Sequence, residues 1–137
     1  MKKMLRRIRS EDGSAVVEFV LLALPLFIPI FIFMSSFADL SDKEFIARTI
    51  ARESLRGFVL SHGDISAYLT ARNIATEGAK VLGLDSDEIS SMKLNIKCEN
   101  WPCITPRNRI SLTVILYSHQ SHKEIRATAE ELLSPWV

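Results

Sequence analysis

Along the chain the spacing of the apolar positions changes, and the successive patterns predict its elements. From Phe19 to Ala38 no side chain is charged and nearly every position is apolar. At 1.5 Å per helical residue, about 20 residues span the roughly 30 Å hydrocarbon core of a bilayer, so this stretch predicts a transmembrane helix. Beyond Asp39 the helix is expected to continue. Phe45, Ile46, Ile50, Leu55 and Phe58 form an incomplete stripe, with Lys43, Glu44, Arg48, Arg52, Glu53 and Arg56 between them. Gly57 and the Ser61 to Gly63 "SHG" are expected to end it. A second helix is predicted from Ile65 to about Leu82, capped by Asp64, with Tyr68, Ala71, Ala75 and Leu82 near one face and Gly83 just past the end.

After these helices the period shortens to two. Met92, Leu94, Ile96 and Cys98 alternate with Lys93, Asn95 and Lys97, and Ile110, Leu112, Val114 and Leu116 alternate with Arg109, Ser111 and Thr113. The two runs predict an antiparallel hairpin with one dry face, lying on the helices. A last helix is predicted from Ser121, where "SHKE" reads as a capping box with Glu124, and Ile125, Ala129 and Leu132 line its inner face. The expected fold class is α+β, with a small antiparallel hairpin in a head carried by a long N-terminal helix.

Length and charge narrow this further. With 137 residues and about 25 in a membrane, just over 100 remain for one small domain. Net charge is +1, but residues 1 to 13 hold Lys2, Lys3, Arg6, Arg7 and Arg9 against Glu11 and Asp12, which is +3 and leaves −2 for the rest. The basic cluster precedes the apolar run instead of striping a folded surface, so nucleic acid is not an expected partner. With Asp39, Asp42 and Glu44 just after the span, the positive-inside rule places the N-terminus in the cytoplasm and the head outside. A secretory signal peptide cut before Asp39 competes, since Ser36 and Ala38 suit cleavage. Its apolar core would be unusually long, and Glu11, Asp12 and Glu18 are unusual in a signal peptide.

Glu18 stands at the mouth of the apolar run in "GSAVVEFVLLALP". A carboxylate at the bilayer edge costs about 1 to 3 kcal/mol unless it is paired, and such residues invite a functional partner. In an ordinary single-pass anchor it would simply sit at headgroup depth. Cleavage between Gly13 and Ser14 would instead create an α-amino group, of pKa about 8, one helical turn before Glu18 or near the Glu18 of a neighbouring subunit.

A basic leader, a glycine, four residues and a glutamate before an apolar helix resemble the processing signature of type IV pilins. "GSAVVEF", "LALPLFIPIFIF" and "IARTIARESLR" together resemble the TadE-like family, minor pseudopilins of tight-adherence (Flp) pilus systems. The resemblance covers residue 13 to about residue 57. It implies cleavage by a prepilin peptidase after Gly13, so that residues 1–13 are a cytoplasmic leader, 14–40 a transmembrane helix from Phe19 to Ala38, and 41–137 an extracytoplasmic pilin-like α+β head. It implies a single-pass location in a bacterial inner membrane or in the pilus itself. Other pilins or pseudopilins, inner-membrane pilus assembly proteins and membrane lipid are the implied partners, and the implied role is assembly, with no catalysis and no cofactor. Phe19 stands where the major pilins of these systems commonly have tyrosine, which suits a minor component. Pro25 matches the family's mid-span proline, and Pro29 is an extra one. Both predict a bent helix, because each removes a backbone donor and crowds the preceding turn. Ser35 and Ser36 are expected to bond to backbone or to another helix.

The remaining candidate chemistry is sparse. Cys98 and Cys103 flank "ENWP", and on the outer side of a membrane a disulfide between them is the expected state, closing a short loop around a half-buried Trp101. His119 and His122 follow at a spacing near a Cys2His2 zinc pattern, which leaves zinc and free thiols as the alternatives. "DSDE" at Asp85 to Glu88 lacks the glycine and later glutamate of a calcium loop and reads as a solvated turn. No motif for a catalytic centre is present. Two other readings stay open: an uncleaved single-pass scaffold of an envelope complex, and a secreted zinc or ligand-binding domain released at Asp39.

Overall fold

The computed structural model describes residues 12–119 and 122–135. Three helices and one sheet follow in the order α1 (Asp12–Val59), α2 (Asp64–Val81), α3 (Ser86–Ser91), β1 (Lys93–Cys98), β2 (Arg109–Ser118) and β3 (Lys123–Leu132). The chain divides into two compact units between Phe37 and Ala38. The first consists of the apolar part of α1. The second holds the last turns of α1 and everything after it, and is an α+β head.

In the head, α1 turns a narrow face inward: Ile46, Ala47, Ile50, Ala51, Ser54, Leu55 and Phe58 are all buried. The stripe read from sequence needs one correction, because Phe45 is 65% exposed and Ala47 and Ala51 take its place. Small residues are favoured there because α2 lies close and antiparallel. A Cβ on Gly57 would meet Ile74 Cδ1 at 2.1 Å, so any larger residue there requires the end of the Ile74 side chain to move aside. Gly57 therefore lies within α1 and does not end it; the helix stops two residues later.

The inner face of α2 is a stripe of alanines, Ala67, Ala71, Ala75 and Ala79, each fully buried. This i, i+4 row replaces the predicted face in part: Ala71 and Ala75 belong to it, whereas Tyr68 stays 40% exposed and packs its ring edge-on against Phe58 at 5.2 Å. Large residues on that row would hold the helices apart. The end of α2 is as expected. Gly83 at φ 81° lets its N–H reach Lys80 O and the Leu84 N–H reach Ala79 O, the paired bonds of a Schellman turn.

"DSDE" is not a solvated turn. It opens the one-and-a-half-turn helix α3, where Asp85 and Glu88 form a reciprocal capping box. Glu88 is only 5% exposed, and its Oε2 accepts from Asp85 N at 3.1 Å and from Lys43 Nζ at 2.8 Å. A carboxylate buried to this degree needs such donors.

The predicted final helix is a strand. β3 pairs with β2 antiparallel over ten positions, from Arg109 with Leu132 to Ser118 with Lys123, and gives a sheet of order β1-β2-β3. Ser121, the expected cap, lies outside the described residues. Ile125, Ala129 and Leu132 satisfy a helical period, but Ile125, Ala127 and Ala129 satisfy a period of two equally well. Helix-favouring Ala, Glu and Leu tip the local preference, and the open edge of β2 overrides it. β1 covers β2 only from Ile110 to Ile115 on one side, whereas β3 covers its whole length on the other. Ile110, Leu112, Val114, Leu116, Ile125 and Ala127 form the dry face, in one core with the α1 stripe and the α2 alanines.

Candidate functional site

Two regions carry the sequence-derived candidates: the apolar stretch of α1, and the loop between β1 and β2. In α1, Gly13 and Ser14 have helical backbone, and Glu18 is exposed. Most side chains from Val16 to Phe37 face outward, with Phe19 71% and Phe31 78% exposed. Among the described residues this is the one helix long and apolar enough to cross a membrane, judged by length and composition. Pro25 and Pro29 both lie inside it, and the helix runs through them without a break. Ser35 and Ser36 each donate to Ile32 O, at 2.9 and 3.0 Å, as a polar side chain does where water is scarce. Ala38 is exposed at the start of the second unit. Among the described residues Glu18 forms no ion pair.

The β1–β2 loop is held by a disulfide and by side chains from two directions. Cys98 and Cys103 are disulfide-bonded, Sγ to Sγ 2.02 Å, with Cα atoms 5.4 Å apart. Asp64, expected as a helix cap, makes no cap bond to α2. Its carboxylate reaches across instead, with Oδ2 accepting from Cys103 N at 2.9 Å and Oδ1 from Ile104 N at 3.0 Å. The buried Asn108 closes the other side: its amide nitrogen donates to Cys103 O at 2.8 Å and Asn100 O at 2.7 Å, and its Oδ1 accepts from Asn100 N at 3.0 Å. Thr105 to Asn108 then turn tightly through Pro106 and Arg107, with Arg107 at φ 62° and Asn108 N bonded to Thr105 O. Held in this frame, Trp101 is 75% exposed, which corrects the half-buried position expected of it. Its peptide bond to Pro102 is cis.

Sequence reasoning found the cysteines and missed Asp64 and Asn108 as the residues that brace the loop. Only the identity of Asp64, an acid at the start of α2, was visible, and a cap is the commoner use of that pattern. The histidines do not join the cysteines. The two sulfurs are bonded to each other, His119 and His122 are exposed, and His119 stands edge-on to Tyr117 at 5.4 Å. Among the described residues no group of three or more His, Cys, Asp or Glu is placed to hold a metal.

Comparison of the chain with protein-family models, with curated proteins and with solved structures gave no match.

Proposed function

We propose that this chain is a minor pseudopilin of the TadE-like kind, a membrane-held subunit or initiator of a tight-adherence pilus, with no catalytic role. In this reading a prepilin peptidase cuts after Gly13, the span from Phe19 to Ala38 anchors the protein singly in a bacterial inner membrane, and the head lies outside the cytoplasm. One observation carries the reading: a single unbroken helix of 48 residues presents exposed apolar side chains over its first part and packs a face of the head core with its last turns. A pilin needs this continuity, because the segment that holds it in lipid is also the one that enters a filament, and the head must travel with it. The α+β head with its three-stranded sheet suits the pilin-like class.

Glu18 supplies the assembly chemistry. Unpaired within the described chain, it is offered to the amine freed at Ser14, its own or a neighbour's, as subunits come together in a low-dielectric setting. Pilins, pseudopilins and inner-membrane assembly proteins are then its partners.

The test is the N-terminus and intact mass of protein recovered from membranes, with and without a co-expressed prepilin peptidase and with Gly13→Ala as control. A peptidase-dependent start at Ser14 is the expected result. A start at Met1 in every sample would leave an uncleaved single-pass scaffold, and a start at Asp39 a secreted domain. Where processing is intact, Glu18→Gln is expected to block assembly; normal assembly would sink the role given to the carboxylate.

A further inference from the structure

Among the described residues β1 bonds to β2 alone, which leaves its outer edge unpaired. The register shows which backbone groups stand free there. Glu99, the first residue past β1, donates its N–H to Arg109 O at 3.0 Å. In an antiparallel ladder alternate residues exchange bonds with the neighbouring strand, so Lys97, Asn95 and Lys93 turn their backbone groups towards β2, and Ile96 and Leu94 turn theirs outward. Side chains alternate in the same step. Leu94 and Ile96 lie half-buried on the dry face and, with Met92 and with Tyr68 and Leu69 of α2, line a groove of about 520 Å³ along that edge. Lys93 and Lys97 are exposed on the other face. All of these lie within the Ala38–Val137 unit.

The charges beside this edge are of one sign. Arg72 and Lys93 also line the groove, its lining holds no acid, and among the described residues neither they nor Lys97 form an ion pair. The next charges in the rows across the sheet, Arg126 beyond Lys93 and Glu130 beyond Lys97, stand on β3, two strand spacings or about 10 Å away. Lysines on an open edge repel basic strands and favour acidic ones.

We infer that the head binds an extended acidic segment of a different protein as an added antiparallel strand on β1. The residues opposite Leu94 and Ile96 each exchange two backbone bonds with them and point aliphatic side chains into the groove. Those opposite Lys93 and Lys97 are acids on the wet face. The segment therefore reads acid, aliphatic, any residue, aliphatic, acid. Main-chain bonds supply the affinity of such an added strand, and the groove and the lysines supply its specificity. No two acids stand four residues apart anywhere in the 137 residues, so a second copy of this chain does not supply the segment. The inference stands on the β1 edge and is independent of cleavage at Gly13.

The probe is the fluorescein-labelled, end-blocked peptide SEVTVES, added to the full chain in phosphatidylcholine nanodiscs. Saturable binding is expected, with slower amide exchange at Leu94 and Ile96 and no change at Asn95, whose N–H already faces β2. N-methylating both valines removes the donors to Leu94 O and Ile96 O and should abolish binding, whereas N-methylating the threonine, whose N–H faces away from β1, should not. Lys93→Glu/Lys97→Glu should weaken SEVTVES about tenfold and bind the charge-reversed SKVTVKS in its place, which also shows that the variant is folded. No saturable binding of SEVTVES, equal binding of both peptides by the unaltered chain, indifference to valine methylation, or protection of the Leu94 and Ile96 amides without any peptide would overturn the proposal.

Discussion

Replacing Asp64 tests how the disulfide-closed loop is held. Its two carboxylate oxygens take the N–H groups of Cys103 and Ile104 at 2.9 and 3.0 Å, in a part-buried position. A hydrogen bond to a charged group contributes about 1.5 to 3 kcal/mol, and solvent access favours the low end, so two give about 3 kcal/mol. Asp64→Ala strands both donors and is expected to cost that amount. For a domain near 100 residues, each kcal/mol moves Tm by about 4 to 8 °C, giving a fall of about 12 to 24 °C. Asp64→Asn keeps one acceptor without the charge and should lose about half as much. An acid in the first turn of α2 also stabilises the helix dipole, by about 0.3 to 1 kcal/mol, so melting alone does not isolate the loop. Amide hydrogen exchange does. In Asp64→Ala the Cys103 and Ile104 amides should lose protection while the middle of α2 keeps its own. Unchanged protection at those two amides, or a Tm shift under about 4 °C, which corresponds to less than about 1 kcal/mol, would refute the argument.

Three further substitutions probe the core, each read by thermal or denaturant melting of the full chain. Lys43→Ala leaves Glu88 buried without its cation and should cost about 3 to 5 kcal/mol, whereas Lys43→Met with Glu88→Leu together should recover much of that; equal losses would mean that the pair is not coupled. Ser54 is fully buried in α1 with its hydroxyl unbonded, so Ser54→Ala should stabilise by about 1 kcal/mol, and a loss of stability would show that the hydroxyl has a partner. Ala71→Leu forces three more carbon atoms into a fully buried contact of α2 and should cost about 1 to 3 kcal/mol, while the same change at the exposed Arg72 should cost little.

The sequence by itself determined whatever depends on neighbours within a few residues. The uncharged stretch from Phe19 to Ala38 needs no tertiary partner to be a helix too apolar for water. The period-two runs of β1 and β2, the Gly83 turn and the spacing of Cys98 and Cys103 are likewise local facts, and the structure has them where the pattern put them. Tertiary structure decided the rest, because the deciding partner lies far along the chain. β3 is a strand because β2 has an open edge, and nothing within "KEIRATAEEL" forces that choice. Asp64 braces residues some 40 positions away, at the expense of the cap that local sequence suggested. Glu88 is buried because Lys43, 45 residues earlier, reaches it. Trp101 is exposed because Asp64, Asn108 and the disulfide fix the loop's backbone and leave the indole outside that frame. Only folding also sets the lysines of β1 on one edge of the sheet and the glutamates of β3 on the other, since strand order is a property of the whole chain.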